Sequence, residues 1–358
     1  MSTANTALLA VGTYTLKMPH VDGRGRGIEM LRFDPHQATL ASVGVQTDLT
    51  NPSYLCVSDD RRHLYSVREI GADGDPGIDV FALDASTGTL ELQQRISSPG
   101  EWPCFIAVDA STRLLLLSNY LSGEVLAYPL QDNGQVIDNP TVLQRSGHGP
   151  NLERQEGPHA HCATVSADGR FAYLADLGID AVVRHEIKEG KVNPEPDLAL
   201  PAVPGSGPRH LAFTADGRHL LVNHELGSSV SLYRLDGPQV RRLAEVSSLP
   251  PDFDGQSGAG GMHLHPNERF VYVANRGHDS VFAARVDVDD GSLTPIGTWP
   301  SGGRTPRDFT FSPDGGHLLC ASQDDAVIRI FSIDPDSGEL THVGEDYPIA
   351  SAVCLQFI

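Results

Sequence analysis

Pro208–Glu225 reads PRHLAFTADGRHLLVNHE. An apolar run, LAF, meets the polar turn TADGR, and a second apolar run, HLLVN, follows. An Asp-Gly pair between two such runs is a strong hairpin signal. The phrase recurs along the chain. It reads PSYLCVSDDRRHLYSVRE from Pro52, PCFIAVDASTRLLLLSNY from Pro103 and HAHCATVSADGRFAYLADL from His159. It returns as GMHLHPNERFVYVANR from Gly261 and PRDFTFSPDGGHLLCASQ from Pro306. The residue after each turn is a ruler: Arg62, Arg113, Arg170, Arg218, Arg269 and Gly316. Successive gaps are 51, 57, 48, 51 and 47 residues.

Two more strand-like runs follow in most repeats, as in SSVSLYRLD and VRRLAEVSS. Four antiparallel strands in each period of about 51 residues are the signature of a β-propeller blade. Seven such periods account for nearly all 358 residues. The C-terminal SAVCLQFI resembles a first strand, and TALLAVGTYT at the N-terminus resembles a second. Joining them completes a seventh blade and removes an open edge, which is otherwise an aggregation hazard. The expectation is an all-β, seven-bladed propeller of four-stranded antiparallel blades. It forms one domain over residues 1–358, with the last blade closed by the N- and C-terminal strands.

Composition agrees. The 36 Gly and 25 Pro suit a turn-dense chain, and no long segment carries a helical period. A net charge of −20 argues against nucleic acid as a partner, because phosphate needs a basic surface. The N-terminal stretch has neither a basic n-region nor a sustained apolar h-region, and no run approaches a membrane span. A cytoplasmic protein without membrane partners is expected, as a monomer or weak homo-oligomer. Cys56, Cys104, Cys162, Cys320 and Cys354 are odd in number and widely spaced, which fits neither disulfides nor a Cys-type zinc site. Cys56, Cys162 and Cys354 fall in apolar runs and read as core.

The repeat also places candidate chemistry. Nine residues before the ruler lies the start of the first strand: Ser53, Cys104, His161, Arg209, Gly260 and Arg307. Seven residues after it lies the end of the second: Glu69, Tyr120, Leu177, Glu225, Arg276 and Gln323. Antiparallel strands bring both positions to one face, so these twelve are expected around one mouth of the central channel. Three arginines, two glutamates and a histidine there exceed what packing needs, and convergent charge at such a mouth is a site hypothesis. Metal binding is weighed at His159-x-His161 and His263-x-His265, but no third ligand sits at a clear spacing. No GxSxG elbow supports a serine nucleophile. Asp73–Asp79 resembles a calcium-friendly turn and reads as a solvated loop. Gly23–Gly27 (GRGRG) lacks the strand–turn–helix setting of a phosphate loop and reads as a mobile loop. Ser257–Gly261 (SGAGG) reads as a border of the mouth.

The blocks GPRH (Gly207–His210), NHELGSSV (Asn223–Val230), ANRGHDSV (Ala274–Val281) and TPRDF (Thr305–Phe309) resemble the lactonase family of seven-bladed β-propellers. That family includes a bacterial type of 6-phosphogluconolactonase and fungal carboxy-muconate lactonising enzymes. The resemblance implies a catalytic set at His161, Arg209, Glu225 and Arg276. Arg307 is implied as an anion-binding residue, with His159 and His210 flanking on the substrate-binding side. It implies hydrolysis of a small anionic lactone, with no cofactor and no metal. Glu225 is expected as general base, with His161 positioning the water or returning the proton. A muconate-type cycloisomerase and a non-catalytic binding scaffold remain open alternatives.

Overall fold

A computed structural model of the chain describes residues 6–237 and 239–358. Among the described residues, seven antiparallel sheets of at least four strands account for most of the structure, beside one small hairpin and a single 3-10 turn at Ala72–Gly74. Blade I is built from Leu55–Val57, His63–Arg68, Gly77–Asp84 and Thr89–Ser97. Blades II to VI begin at Pro103, Ala160, Pro208, Gly258 and Pro306 and repeat that order. Blade VII joins Ala352–Phe357 to Ala7–Thr13, Ile28–Asp34 and Thr39–Gln46. Its first two strands pair antiparallel from Leu9↔Phe357 to Thr13↔Ala352, as the split repeat predicts. No helix among the described residues is long and apolar enough to cross a membrane.

The chain divides into two compact units. One comprises Met1–Leu55, Leu83–Leu90 and Val246–Ile358; the other comprises Cys56–Ala82 and Glu91–Glu245. In the second unit, Leu114, Leu116, Val125 and Ala127 of blade II pack on Ala163, Ala172 and Leu174 of blade III. Tyr173, Val182 and Leu200 of blade III pack on Leu220, Val222 and Tyr233 of blade IV. In the first unit, blades V and VI meet through Phe270, Tyr272, Phe309 and Phe331. Blades VI and VII meet through Leu319, Ile328, Leu9 and Leu31. The middle strands are covered on both faces, which explains continuous runs such as LLLL at 114–117 where a half-exposed strand would alternate. The outermost strand Thr39–Gln46 of blade VII is exposed almost throughout.

The ruler turns of blades I, III, IV and VI share one lock. In blade IV the Thr214 hydroxyl donates to Asp216 Oδ1 (2.6 Å), which also accepts the Arg218 N–H (2.9 Å). Ser166–Asp168–Arg170 and Ser58–Asp60–Arg62 repeat it in blades III and I. Side-chain oxygens thus satisfy backbone donors that a tight loop exposes.

Three readings are corrected. Gly23–Gly27 is pinned to its own unit: Gly25 N–H donates to the Tyr14 carbonyl (2.8 Å) and Arg24 N–H to Ser351 Oγ (3.1 Å). A Cβ on Gly25 falls 2.2 Å from Thr13 Oγ1, so the glycine serves close packing rather than mobility. Asp75 and Asp79 are held by arginines: Asp79 is buried and bonds Arg68 (2.6 Å) and Arg95 (2.9 Å). Cys56 is only half-buried, whereas Cys104, Cys162, Cys320 and Cys354 are buried; all five are free thiols.

Candidate active site

In six sheets the pairing register shifts where the first strand starts. Ala160 pairs with Asp176 and Cys162 with Ala175, which leaves His161 outside the ladder. Pro208 pairs with His224 and Leu211 with Val222, so Arg209 and His210 bulge together. Cys104 and Arg307 are skipped in the same way, as are Gly260 and Gly261. A bulge bends its strand and re-aims a side chain, and this one falls on the ruler position that the sequence singles out. The second strand's end is tied to the same spot. The N–H groups of Tyr120, Leu177, Glu225 and Gln323 donate to the carbonyls of Trp102, His159, Gly207 and Thr305, at 2.7–3.0 Å. Each acceptor lies two residues before its bulge.

In the unit that holds blades II to IV, these positions converge on Glu225. Arg209 Nε donates to Glu225 Oε2 (3.0 Å), and both side chains are about 95% buried or more. Arg154 Nη2 donates to Oε1 (2.7 Å) and to the Tyr120 hydroxyl (3.1 Å). His161 Nε2 lies 3.9 Å from Oε2, within ionic reach but beyond a hydrogen bond. Arg209 Nη1 approaches His210 Nε2 at 2.9 Å. A guanidinium only donates, so that His210 nitrogen accepts and the ring is neutral, with its proton on Nδ1. His210 N–H is in turn fixed by Asn223 Oδ1 (2.7 Å). His161 Nδ1 faces the Cys104 thiol at 3.9 Å.

The charges reinforce one another. Burial works to lower the Arg154 pKa, but the Glu225 carboxylate and the Tyr120 hydroxyl more than offset it, so it is raised. Burial, and then the Glu225 charge, push the Tyr120 phenol up, so it stays protonated at neutral pH. Glu225 therefore sits between two guanidinium forks with a phenol and an imidazole beside it, an arrangement suited to moving a proton next to an anion.

His159 flanks the cluster through Tyr120. Its ring stacks on Tyr120 (4.7 Å between centroids), with Nδ1 on the Tyr120 carbonyl (2.8 Å) and Nε2 on Glu156 (3.1 Å). It buttresses the loop that carries Arg154. His263 and His265 diverge, to Asp308 (3.0 Å) and to the Gly315 carbonyl (2.9 Å).

In the other unit, Arg276 donates to the carbonyls of Gly258 (3.2 Å) and Ala259 (2.9 Å). The SGAGG glycines serve the neighbouring blade instead: a Cβ on Gly260 falls 2.8 Å from the carbonyl oxygens of Pro306 and Arg307. Arg307 stands over the Tyr14 ring at 5.3 Å. Close to both is His20, whose pKa is lowered to about 4 by burial, then by Arg307 and Arg276. This second cluster is cationic and keeps its imidazole neutral.

Two features escaped the sequence. Arg154 lies outside the repeat register, in the connection between blades II and III, so no ruler points to it. The other is the residue six after the ruler: Arg68, Asn119, Asp176, His224, Asn275 and Ser322 are all buried and polar. Asp176 accepts Arg145 Nε (2.8 Å) and the His159 N–H (2.8 Å); Asn275 bonds Ser248 and Ser280. Five of the six staple their blade beside its site position, the Ser322 hydroxyl being buried without a hydrogen-bond partner, and their identities differ too much to show as a motif.

Residues 8–357 match the family described as Lactonase, 7-bladed beta-propeller. The chain is 31% identical over 350 residues to the 6-phosphogluconolactonase of Bacillus subtilis, covering 97% of each. It is 28% identical over 351 residues to the 6-phosphogluconolactonase of Formosa agariphila, covering 97% of this chain and 98% of that one. The periplasmic gluconolactonase of Pseudomonas aeruginosa superposes with a TM-score of 0.89 at 30% identity over 99% of each chain. The chain belongs to the lactonase family of seven-bladed β-propellers.

Proposed function

We propose that this protein hydrolyses a sugar lactone, 6-phosphogluconolactone above all, by general-base activation of water. The observation that supports this reading is the convergence of Arg209, Arg154 and His161 on the buried Glu225. Relatives named 6-phosphogluconolactonase support the substrate.

Glu225 takes a proton from water as the water oxygen attacks the lactone carbonyl. Negative charge grows on the carbonyl oxygen, where a guanidinium donor is worth a factor of about 10²–10³. The bond between carbonyl carbon and ring oxygen then breaks. His161 Nε2, beside Glu225 Oε2, relays the proton to the departing alkoxide. A lactone is an activated ester, so a base and a charged donor suffice, and the chemistry needs no metal or covalent intermediate. For Arg276 and Arg307 the family resemblance supports a part in binding the substrate, Arg307 through an anionic group. The cytoplasm is the proposed setting, since the phosphorylated substrate is an intracellular type of metabolite.

The test is Glu225→Gln, assayed on 6-phosphogluconolactone and on unphosphorylated gluconolactone. A loss of about 10²–10⁴ in kcat with unchanged circular dichroism is expected. Turnover close to that of the unsubstituted protein sinks the assignment.

A further inference from the structure

The resting geometry presents a difficulty for a base at Glu225. Both carboxylate oxygens already accept from arginine, Oε2 from Arg209 and Oε1 from Arg154. A carboxylate held by two guanidinium groups is a poor proton acceptor. The two arginines are not equivalent. Arg209 is 3% exposed, with its other donor on His210. Arg154 is 44% exposed and reaches Glu225 from 71 residues away in the chain.

The connection that carries Arg154 is built to present it. Gln155, fully buried, plugs the loop: its Nε2 donates to the Leu177 carbonyl (2.8 Å), and its Oε1 accepts the Asn151 N–H (3.1 Å). Its backbone closes the turn on Asn151 (2.7 Å) and Gly149 (3.0 Å). The backbone at Arg154 is thus anchored on one side, while its long side chain stays half in solvent. Among the described residues, its bonds inside the site go to two side chains, Glu225 and Tyr120, and to no main-chain carbonyl.

We propose that Arg154 is an exchange arginine: it caps Glu225 in the resting protein and passes to the substrate's carbonyl oxygen, and later to the product's carboxylate, when these bind. This inference deepens the proposed lactone hydrolysis and rests on that reading for the identity of the ligand. The charges stay matched through the exchange: Glu225 keeps Arg209 when Arg154 leaves, and Arg154 gains an anion as the attacked carbonyl oxygen becomes an oxyanion and then the product a carboxylate. Release of Oε1 raises the basicity of Glu225 when the water must be deprotonated. The same donor then faces the oxygen on which charge develops. A planar fork suits this transfer, because carboxylate and tetrahedral oxyanion both accept from it.

Exchange makes a prediction that a merely structural arginine does not. In the resting protein, Glu225 competes with the product acid for Arg154. Glu225→Gln removes that competitor, so 6-phosphogluconate should bind at least about tenfold tighter than to the unsubstituted protein, the worth of one charge-assisted hydrogen bond. Adding Arg154→Gln should abolish the gain, while Glu225→Gln with Arg154→Lys should keep part of it. Calorimetry with 6-phosphogluconate on the four proteins reads this directly, and circular dichroism confirms that each is folded. Equal or weaker binding by Glu225→Gln overturns the exchange, as does a gain that survives Arg154→Gln. Hydrolysis by the unsubstituted protein is measured in parallel. Turnover without the binding pattern refutes the exchange alone. The binding pattern without turnover refutes the hydrolase reading alone.

Discussion

Two carboxylates in blades I and IV are held in nearly the same way, and only one is proposed to do chemistry. Asp79 and Glu225 are both buried between one buried arginine and one half-exposed arginine: Arg68 and Arg95 for the first, Arg209 and Arg154 for the second. The difference lies in what else the arginines bind. Arg68 also donates to the main-chain carbonyls of Asp75 (2.9 Å), Ile78 (3.0 Å) and Ile96 (3.1 Å), and to Asp75 Oδ2 (3.0 Å). Ile78 and Ile96 lie on strands of its own sheet and cannot leave without unzipping the blade. Glu225 lies one residue beyond its strand, and its arginines reach it from a bulge and from a distant connection. A ligand can displace side-chain partners; it cannot displace a strand. An acid–arginine cluster is structural when backbone carbonyls saturate its donors, and available for chemistry when side chains do.

The largest effect should appear in the blade I knot. Arg68→Met leaves buried Asp79 to the half-exposed Arg95 alone among its arginines and takes a donor from three carbonyls, and breaking a buried pair costs about 3–5 kcal/mol. The urea midpoint should fall accordingly, with kcat per folded molecule unchanged. A stability loss under about 1 kcal/mol breaks the comparison, because Arg68 is then no more essential than a surface charge.

The residue six after the ruler sharpens it further. In blade I that position is Arg68, a permanent cation with its anion. In blade IV it is His224, fully buried between the hydroxyls of Ser206 (3.2 Å) and Ser231 (2.9 Å). Burial lowers the His224 pKa to about 4, with Arg242 adding to the effect and Glu245 opposing it. The unfolded chain, with its histidine near 6.5, therefore binds this proton first. The stability contribution is complete above about pH 6.5 and is lost as pH falls toward 4, by at most about 1.4 kcal/mol per pH unit. His224→Gln should flatten the pH dependence of the urea midpoint in that window. An unchanged slope means that the linkage resides in other groups.

How much of this was legible follows from the same contrast. The blade repeat is visible because each hairpin needs the same turn chemistry and the same apolar faces, so Arg62, Arg113, Arg170 and Arg218 keep step. Position in the repeat then picked out His161, Arg209 and Glu225, which the structure gathers at one carboxylate. It also picked out Arg276 and Arg307, which flank His20. His159 shares a two-residue spacing with His161, and both rings pack on Tyr120, but only His161 comes within ionic reach of Glu225. Arg154 was invisible because connections between blades carry no period. The Asp73–Asp79 segment misled because acidic spacing looks the same whether the partner is a cation or two arginines. Those arginines, Arg68 and Arg95, lie on neighbouring strands whose pairing must be known first.

The smallest effect separates the two half-exposed arginines. Arg95 and Arg154 have 45% and 44% side-chain exposure and bond their carboxylates at 2.9 and 2.7 Å. Judged by exposure and distance they are the same residue. Asp79, however, keeps the buried Arg68 without Arg95. Arg95→Gln should therefore cost under about 1 kcal/mol, the usual worth of a pair with one partner in water, and leave turnover unaltered. Salt should erase even that, since screening acts on the exposed partner. If Arg95→Gln instead lowers turnover, the knot in blade I communicates with the chemistry. Then partner type alone does not separate structural arginines from working ones.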